Sequence, residues 1–487
     1  MTVTASFAQD GQPAPYDSGW FLATNAITPV TQFSIIAPLT SNPTFPGGTS
    51  AIAETITPDI AALARNLEND PTRIYNYVHD HIRYVHYFGS HKGAEMTLLE
   101  RSGNDFDQCA LLVALLRQAG FYPSYEFGMI SIPYAASNQQ DYQHWVGAMM
   151  PNTNWIAASQ LAEIINSTLG YPLTGYFAGD TNNLLFHHVW VQVALNGTNY
   201  TLDPAFKVNQ PIGGIGLDAA MQLNTNTLIS AVSSGSTATA DYVQNLNEAN
   251  LRSTLGSYNS NLLSYIQSTC PNAPVQQIVG GQSIVPSTGL PLGQPTPFTS
   301  LTQNGQWPVS TWTYIPTNLM AVLSFNLPGT NNSFYLPGLA GSRLSLVCTS
   351  NGVAQLWQED NMLTSVQTTG SGGAFNPTFG IQHPFGTNWS FSTPGFFPAR
   401  YAGNDQSVST QSYQRTNATY VLLYGFDVSD AWLTERQQQL DSYRDQGYAD
   451  SSRQVQTETL NIMGLGWLNQ TELAQELLAG QIWQGKD

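Results

Sequence analysis

Residues 103–120 read GNDFDQCALLVALLRQAG, and this stretch decides the fold. Leu111, Leu112, Leu115 and Leu116 recur at helical spacing and make a broad apolar face. Asp105 is suited to the first turn, and Gly120 is a good C-terminal stop, so the spacing predicts a helix over 105–120. Upstream, helical patterns open at Pro58 and Pro71, each proline suiting a first turn; Ile74, Val78 and Ile82 then share one face. Downstream, SYEFGMISI (124–132) and HVWVQVAL (188–195) alternate as strands do. Asn196-Gly197 is a hairpin turn leading into NYTLDP. A helix packed on an antiparallel sheet is thus expected, an α+β arrangement.

Outward from this core, residues 1–55 are rich in Pro, Thr, Ser and Gly and are expected to form an N-terminal arm with edge strands. The core domain is placed at 56–230 and a helical segment at 231–270. Residues 271–305, dense in Pro, Gly and Gln, read as a linker. Short strands between Pro, Gly and Asn turns over 306–430 suggest a β-sandwich-like domain, and 431–487 returns to helical spacing as C-terminal helices.

Composition excludes several functions. The 487 residues carry 32 acids against 15 Lys and Arg, a net charge of −17. Such a surface repels phosphate backbones, and no basic run offsets it, so nucleic-acid binding is not expected. Apolar runs fall short of a membrane span. Charged residues are only 10%, against the usual ~25%, so solubility rests on Asn, Gln, Ser, Thr and Gly. That balance suits an extracellular or cell-surface protein. Cys109, Cys270 and Cys348 are too few and too widely spaced for a disulfide-stapled fold. With CxxC and HExxH both absent, no metal or cofactor is expected.

Gly103-Asn104, Asp107, the Leu115-Leu116-Arg117 run, His188-Val189-Trp190 and Asp203-Pro204-Ala205-Phe206-Lys207 together carry a resemblance. Over about 56–210 the chain resembles the transglutaminase-like superfamily, which is related to papain. The likeness is nearest to a bacterial branch found near the front of large surface or Rhs/YD-repeat proteins. The resemblance implies a thiol nucleophile at a helix N-terminus, a histidine that shuttles its proton and a carboxylate that orients the ring.

Counting back from Arg117 without gaps, the nucleophile slot falls on Asp105, and Cys109 lies one helical turn further on. The first reading is therefore a degenerate site with a scaffold or binding role, partnered by a protein or peptide. The alternative is an active cysteine hydrolase or acyltransferase on peptide or Gln amides, using Cys109, His188 and Asp203. A third class, carbohydrate binding, would use Trp307, Trp312, Trp357 and Trp389. His187 points to the opposite sheet face from His188, and His144-Trp145 imitates the His-x-Trp pattern without a following Asp-Pro strand. His79, His81, His86 and His91 read as a solvated face rather than a metal site.

Overall fold

The computed structural model describes residues 3–8, 53–85, 87–133, 137–146, 183–287, 299–300, 309–327, 330–367, 378–382, 384, 409–410, 418–423 and 428–483. Helices and largely antiparallel sheets are mixed in an α+β arrangement. The chain divides into two units, one of residues 1–208 with 284–472 and one of 209–283 with 473–487.

In the first unit, α1 (Pro58–Asn66) and α2 (Pro71–His81) each begin with proline behind a side-chain cap. The Thr57 hydroxyl accepts from the Ile60 N–H, and the Asp70 carboxylate from the Arg73 N–H. Next come α3 (Gly93–Glu100), α4 (Asp105–Gln118) and the short α5 (Tyr142–Val146). Every residue of α4 from Asp105 to Leu116 is buried, because α1, α2 and α3 pack around it and the sheet lies against it. Its apolar face is therefore wider than the leucines alone require, and even Asp105, Asp107 and Gln108 are enclosed.

The sheet against α4 is built on β1 (Ser124–Pro133), β2 (Asn183–Leu195) and β3 (Thr198–Leu202). β1 and β2 pair antiparallel with Gly128 opposite His188, and β2 pairs β3 with Val191 opposite Leu202. The β2–β3 turn has positive φ at both Asn196 (50°) and Gly197 (81°), the backbone a two-residue type I′ turn requires. Ser310–Trp312 and Thr299–Ser300 add to the other edge of β1. Ile74, Val78, Leu111, Leu112, Val189 and Val191 belong to the core between helices and sheet.

The later strands make two antiparallel sheets. One orders Val3–Ala8, Ala418–Leu423, Leu344–Cys348, Val353–Gln358 and Asn361–Gln367; the other orders Thr330–Tyr335, Val322–Leu327, Thr378–Gln382 and Ser409–Thr410. Leu323 of the second sheet shares a core with Leu344, Leu346 and Leu356 of the first. The helices Asp430–Asp445 and Arg453–Trp483 bring Trp432, Leu465 and Leu468 into an apolar cluster with Val421, Leu423 and residues Met96 and Leu99 of α3. Beside it, Arg436 grips Glu359 with two hydrogen bonds of 2.8 and 3.0 Å and also bonds Glu458, which Arg343 meets from the sheet. Of the expected arm, residues 9–52 lie outside the described residues. Within 271–305 the described residues include the helix Val275–Val279 and the strand Gly281–Ile284.

In the second unit, α6 (Thr225–Ser233) runs antiparallel to the first half of α7 (Glu248–Thr269). The Tyr258 hydroxyl bonds both backbone groups of Asn224 at one end, and Asn247 N–H meets the Val232 carbonyl at the other.

Candidate functional site

The first turn of α4 is fastened from several directions. Asn104 caps it, its side-chain oxygen accepting the Asp107 N–H at 2.9 Å while its amide donates to the carbonyls of Tyr87 and Gly89. At Gly103 a Cβ would lie 3.1 Å from Thr97 and 3.2 Å from Asp107, a tight fit in which those side chains would have to give by a few tenths of an ångström. The Asp107 carboxylate accepts the hydroxyls of Tyr87 (2.6 Å) and Ser90 (2.8 Å) and the backbone N–H groups of His91, Lys92 and Gly93. Buried carboxylates need such donors, and here they lock the 87–93 turn onto the helix start.

This fastening sets Asp105 against β2. His188 Nδ1 donates to Asp105 Oδ2 at 3.0 Å, and Nε2 donates to Asp203 Oδ2 at 2.9 Å. Between two ionised carboxylates both ring nitrogens would carry N–H groups, the imidazolium form. Asp105 Oδ2 also accepts the Val189 N–H at 3.0 Å, while Asp203 Oδ1 takes the N–H groups of Ala205 and Phe206. His188 and Asp105 are 0% exposed and Asp203 4%. Burial alone would drive the ring toward its neutral form; the charge of Asp203 and the bonds to both carboxylates outweigh it and lift the His188 pKa to about 9. Trp145 packs edge-on to the ring at 5.1 Å and Trp190 stacks at 6.3 Å, the former also donating from its indole to the Ala205 carbonyl.

Lys207, fully buried nearby, donates to the carbonyls of Val78, His79 and Pro204, which tie the end of α2 to the Asp-Pro turn. Burial brings its pKa down to about 7 against the pull of Asp203 and Asp80.

Cys109 lies one turn along α4, 0% exposed, with its thiol donating to the Val189 carbonyl at 3.5 Å. Burial, then the charges of Asp203 and Asp105, push the thiol well above its ordinary pKa. The structure thus brings Asp105, His188 and Asp203 together, with both ring nitrogens on carboxylates.

The other sequence candidates have plain settings. His187 stacks on Phe127 at 5.3 Å on the sheet face opposite His188, the face it shares with Val189, and burial lowers its pKa to about 3. His144 bonds Asp141, the residue that caps its own short helix. His79 bonds Asp80, while His91, 1% exposed against the Phe88 carbonyl, does not belong to the solvated face expected of it. Trp312 stacks on Phe127 and Trp357 lies under the Arg453 guanidinium; Trp307, Trp389 and His86 fall outside the described residues. Trp145 had no periodic or spacing signal that marked it as part of this site, and Asp107 and Lys207 stood only among the residues of the resemblance, with no role assigned to them. Among the described residues, the carboxylates that could share a cation are Asp59, Glu95 and Glu435, with ligand atoms within 4.8 Å of one another. Burial, then the charges of Asp59 and Glu435, raises the Glu95 pKa to about 7.

No curated protein and no solved structure matches the chain. Residues 54–159 match the family model of the transglutaminase-like superfamily, so the chain carries a transglutaminase-like domain, with Asp105 and Cys109 inside the matched part.

Proposed function

We propose that this domain is a catalytically silent transglutaminase-like module, with Asp105 in the nucleophile slot, serving as a scaffold or protein-binding unit of a secreted or surface protein. The observation that carries the reading is the double engagement of His188. Acyl transfer through a thioester needs a thiolate beside an imidazole that can accept and return a proton. Here the ring already holds both protons against Asp105 and Asp203, and a carboxylate is a poor nucleophile toward amides. The low charge content and the Asn-, Ser- and Thr-rich composition support an extracellular setting.

The reading is tested on the native protein with iodoacetamide and with Gln-containing peptides. Cys109 is expected to stay unlabelled between pH 6 and 8 while the half-buried Cys270 reacts at an ordinary thiol rate. Ammonia release from the peptides is expected to stay at background, in wild type and in Cys109→Ala alike. Turnover that disappears in Cys109→Ala would establish the active cysteine enzyme instead.

A further inference from the structure

Residues 209–283 differ from the rest of the chain in two ways. First, they leave apolar side chains in water. Nine of the sixteen exposed large apolar residues among the described residues fall in these 75 positions. Ile229 is 61% exposed, Val243 57%, Leu263 56%, Tyr242 52%, Leu246 50% and Leu255 43%. α6 has no buried residue, and the 22 residues of α7 bury a single side chain, Tyr258. Helices in proteins are held chiefly by packing an apolar face, so this pair is short of cover.

Second, the segment is almost uncharged. Its charged residues are Asp218, Asp241, Glu248 and Arg252, so it contributes −2 and the remainder of the chain holds −15. A strongly acidic or basic partner finds no complementary charge here. Two copies of an acidic chain, by contrast, meet with least repulsion through their neutral face.

We propose that this face is a self-association surface, and that two copies of the chain pair through the α6–α7 layer about a two-fold axis. Hydrogen bonds between Asn224 and Tyr258, and between Asn250 and Ala231, hold α6 beside the first half of α7, with the hairpin at 237–244 joining them. α7 is about 33 Å long and α6 about 14 Å at 1.5 Å per residue, each about 10 Å across. Their footprint is about 470 Å² per copy, or about 900 Å² in all, the size of a weak, reversible interface. An isologous contact makes each apolar pairing twice, one residue meeting another and the reverse across the axis, which suits a surface with no charge pattern to match.

Sedimentation and light scattering of the full chain over 1–100 µM test this. A dimer of twice the 53.0 kDa chain mass is expected. Ile229→Asn with Leu255→Asn, and separately Val243→Asn with Leu246→Asn, should each weaken dimerisation by about tenfold or more, the scale of losing an apolar anchor from an interface core. Their far-UV circular dichroism should match wild type, since these side chains already face water. Tyr122→Ser, at a 95% exposed position in the other unit, should leave the dimer intact. A monomer at 100 µM, or a dimer that both double variants leave unchanged, would overturn the proposal.

Discussion

Replacing Asp105 with alanine is expected to destabilise the domain by about 3–5 kcal/mol, read from urea unfolding at pH 7. The substitution removes one of two counter-charges from an imidazolium that is 0% exposed, and it leaves the Val189 N–H without its carboxylate. A residue that merely capped a helix would cost about 1 kcal/mol. The two outcomes are separable. Asp105→Asn keeps the shape and one acceptor, and should cost less than alanine. A loss near 1 kcal/mol for alanine would mean that Asp105 does not hold His188 in solution.

The second large effect is a pH dependence carried by His188. Its folded pKa of about 9 lies above the ordinary 6.5, so the folded state holds the proton more tightly. The stabilisation is fully present below pH 6.5 and is lost as pH rises through about 9, on the order of 3 kcal/mol in total. Lys207 works in the other direction: its folded pKa of about 7, below the ordinary 10.5, adds stability as pH climbs above 7. The two partly cancel in the wild-type curve. The difference in stability between wild type and Asp105→Asn, measured from pH 6 to 9.5, separates them, because Lys207 is common to both. That difference should be largest near pH 6 and shrink toward pH 9. A flat difference across the range would contradict the assignment.

Much of this core was legible because its signals are local. The leucines of α4, the prolines at 58 and 71, and the Asn196-Gly197 turn each act within a few residues of themselves. The His188–Asp203 pairing was legible too, because fifteen residues across a tight hairpin bring the two onto neighbouring backbone. Asp105 could be placed at the site only through the family resemblance, by counting back from Arg117 to the slot that the resemblance implies. What escaped sequence reading depends on long-range packing. Asp107 looks like any first-turn acid, yet it gathers donors from Tyr87 to Gly93, because α3 folds back over the start of α4. Trp145 sits beside a histidine that imitates the family pattern, but its own indole is what covers His188. Arg343 and Glu458 are 115 positions apart, and no periodicity joins a strand entry to a C-terminal helix. The burial of Cys109 follows from the same enclosure: with helices on several sides and the sheet on another, no face of α4 is left for a reactive thiol.

The central claim is that a carboxylate at position 105 and another at 203 hold a protonated ring at 188. Nitrogen-15 NMR of the imidazole in ring-labelled protein reads this directly, through the shifts of both ring nitrogens between pH 6 and 10. Two protonated nitrogens at pH 7.5, with titration near pH 9 and downward displacement of that midpoint in Asp105→Asn, is the result expected. A His188 ring that is neutral at pH 7.5 and titrates at or below pH 6.5 would contradict it.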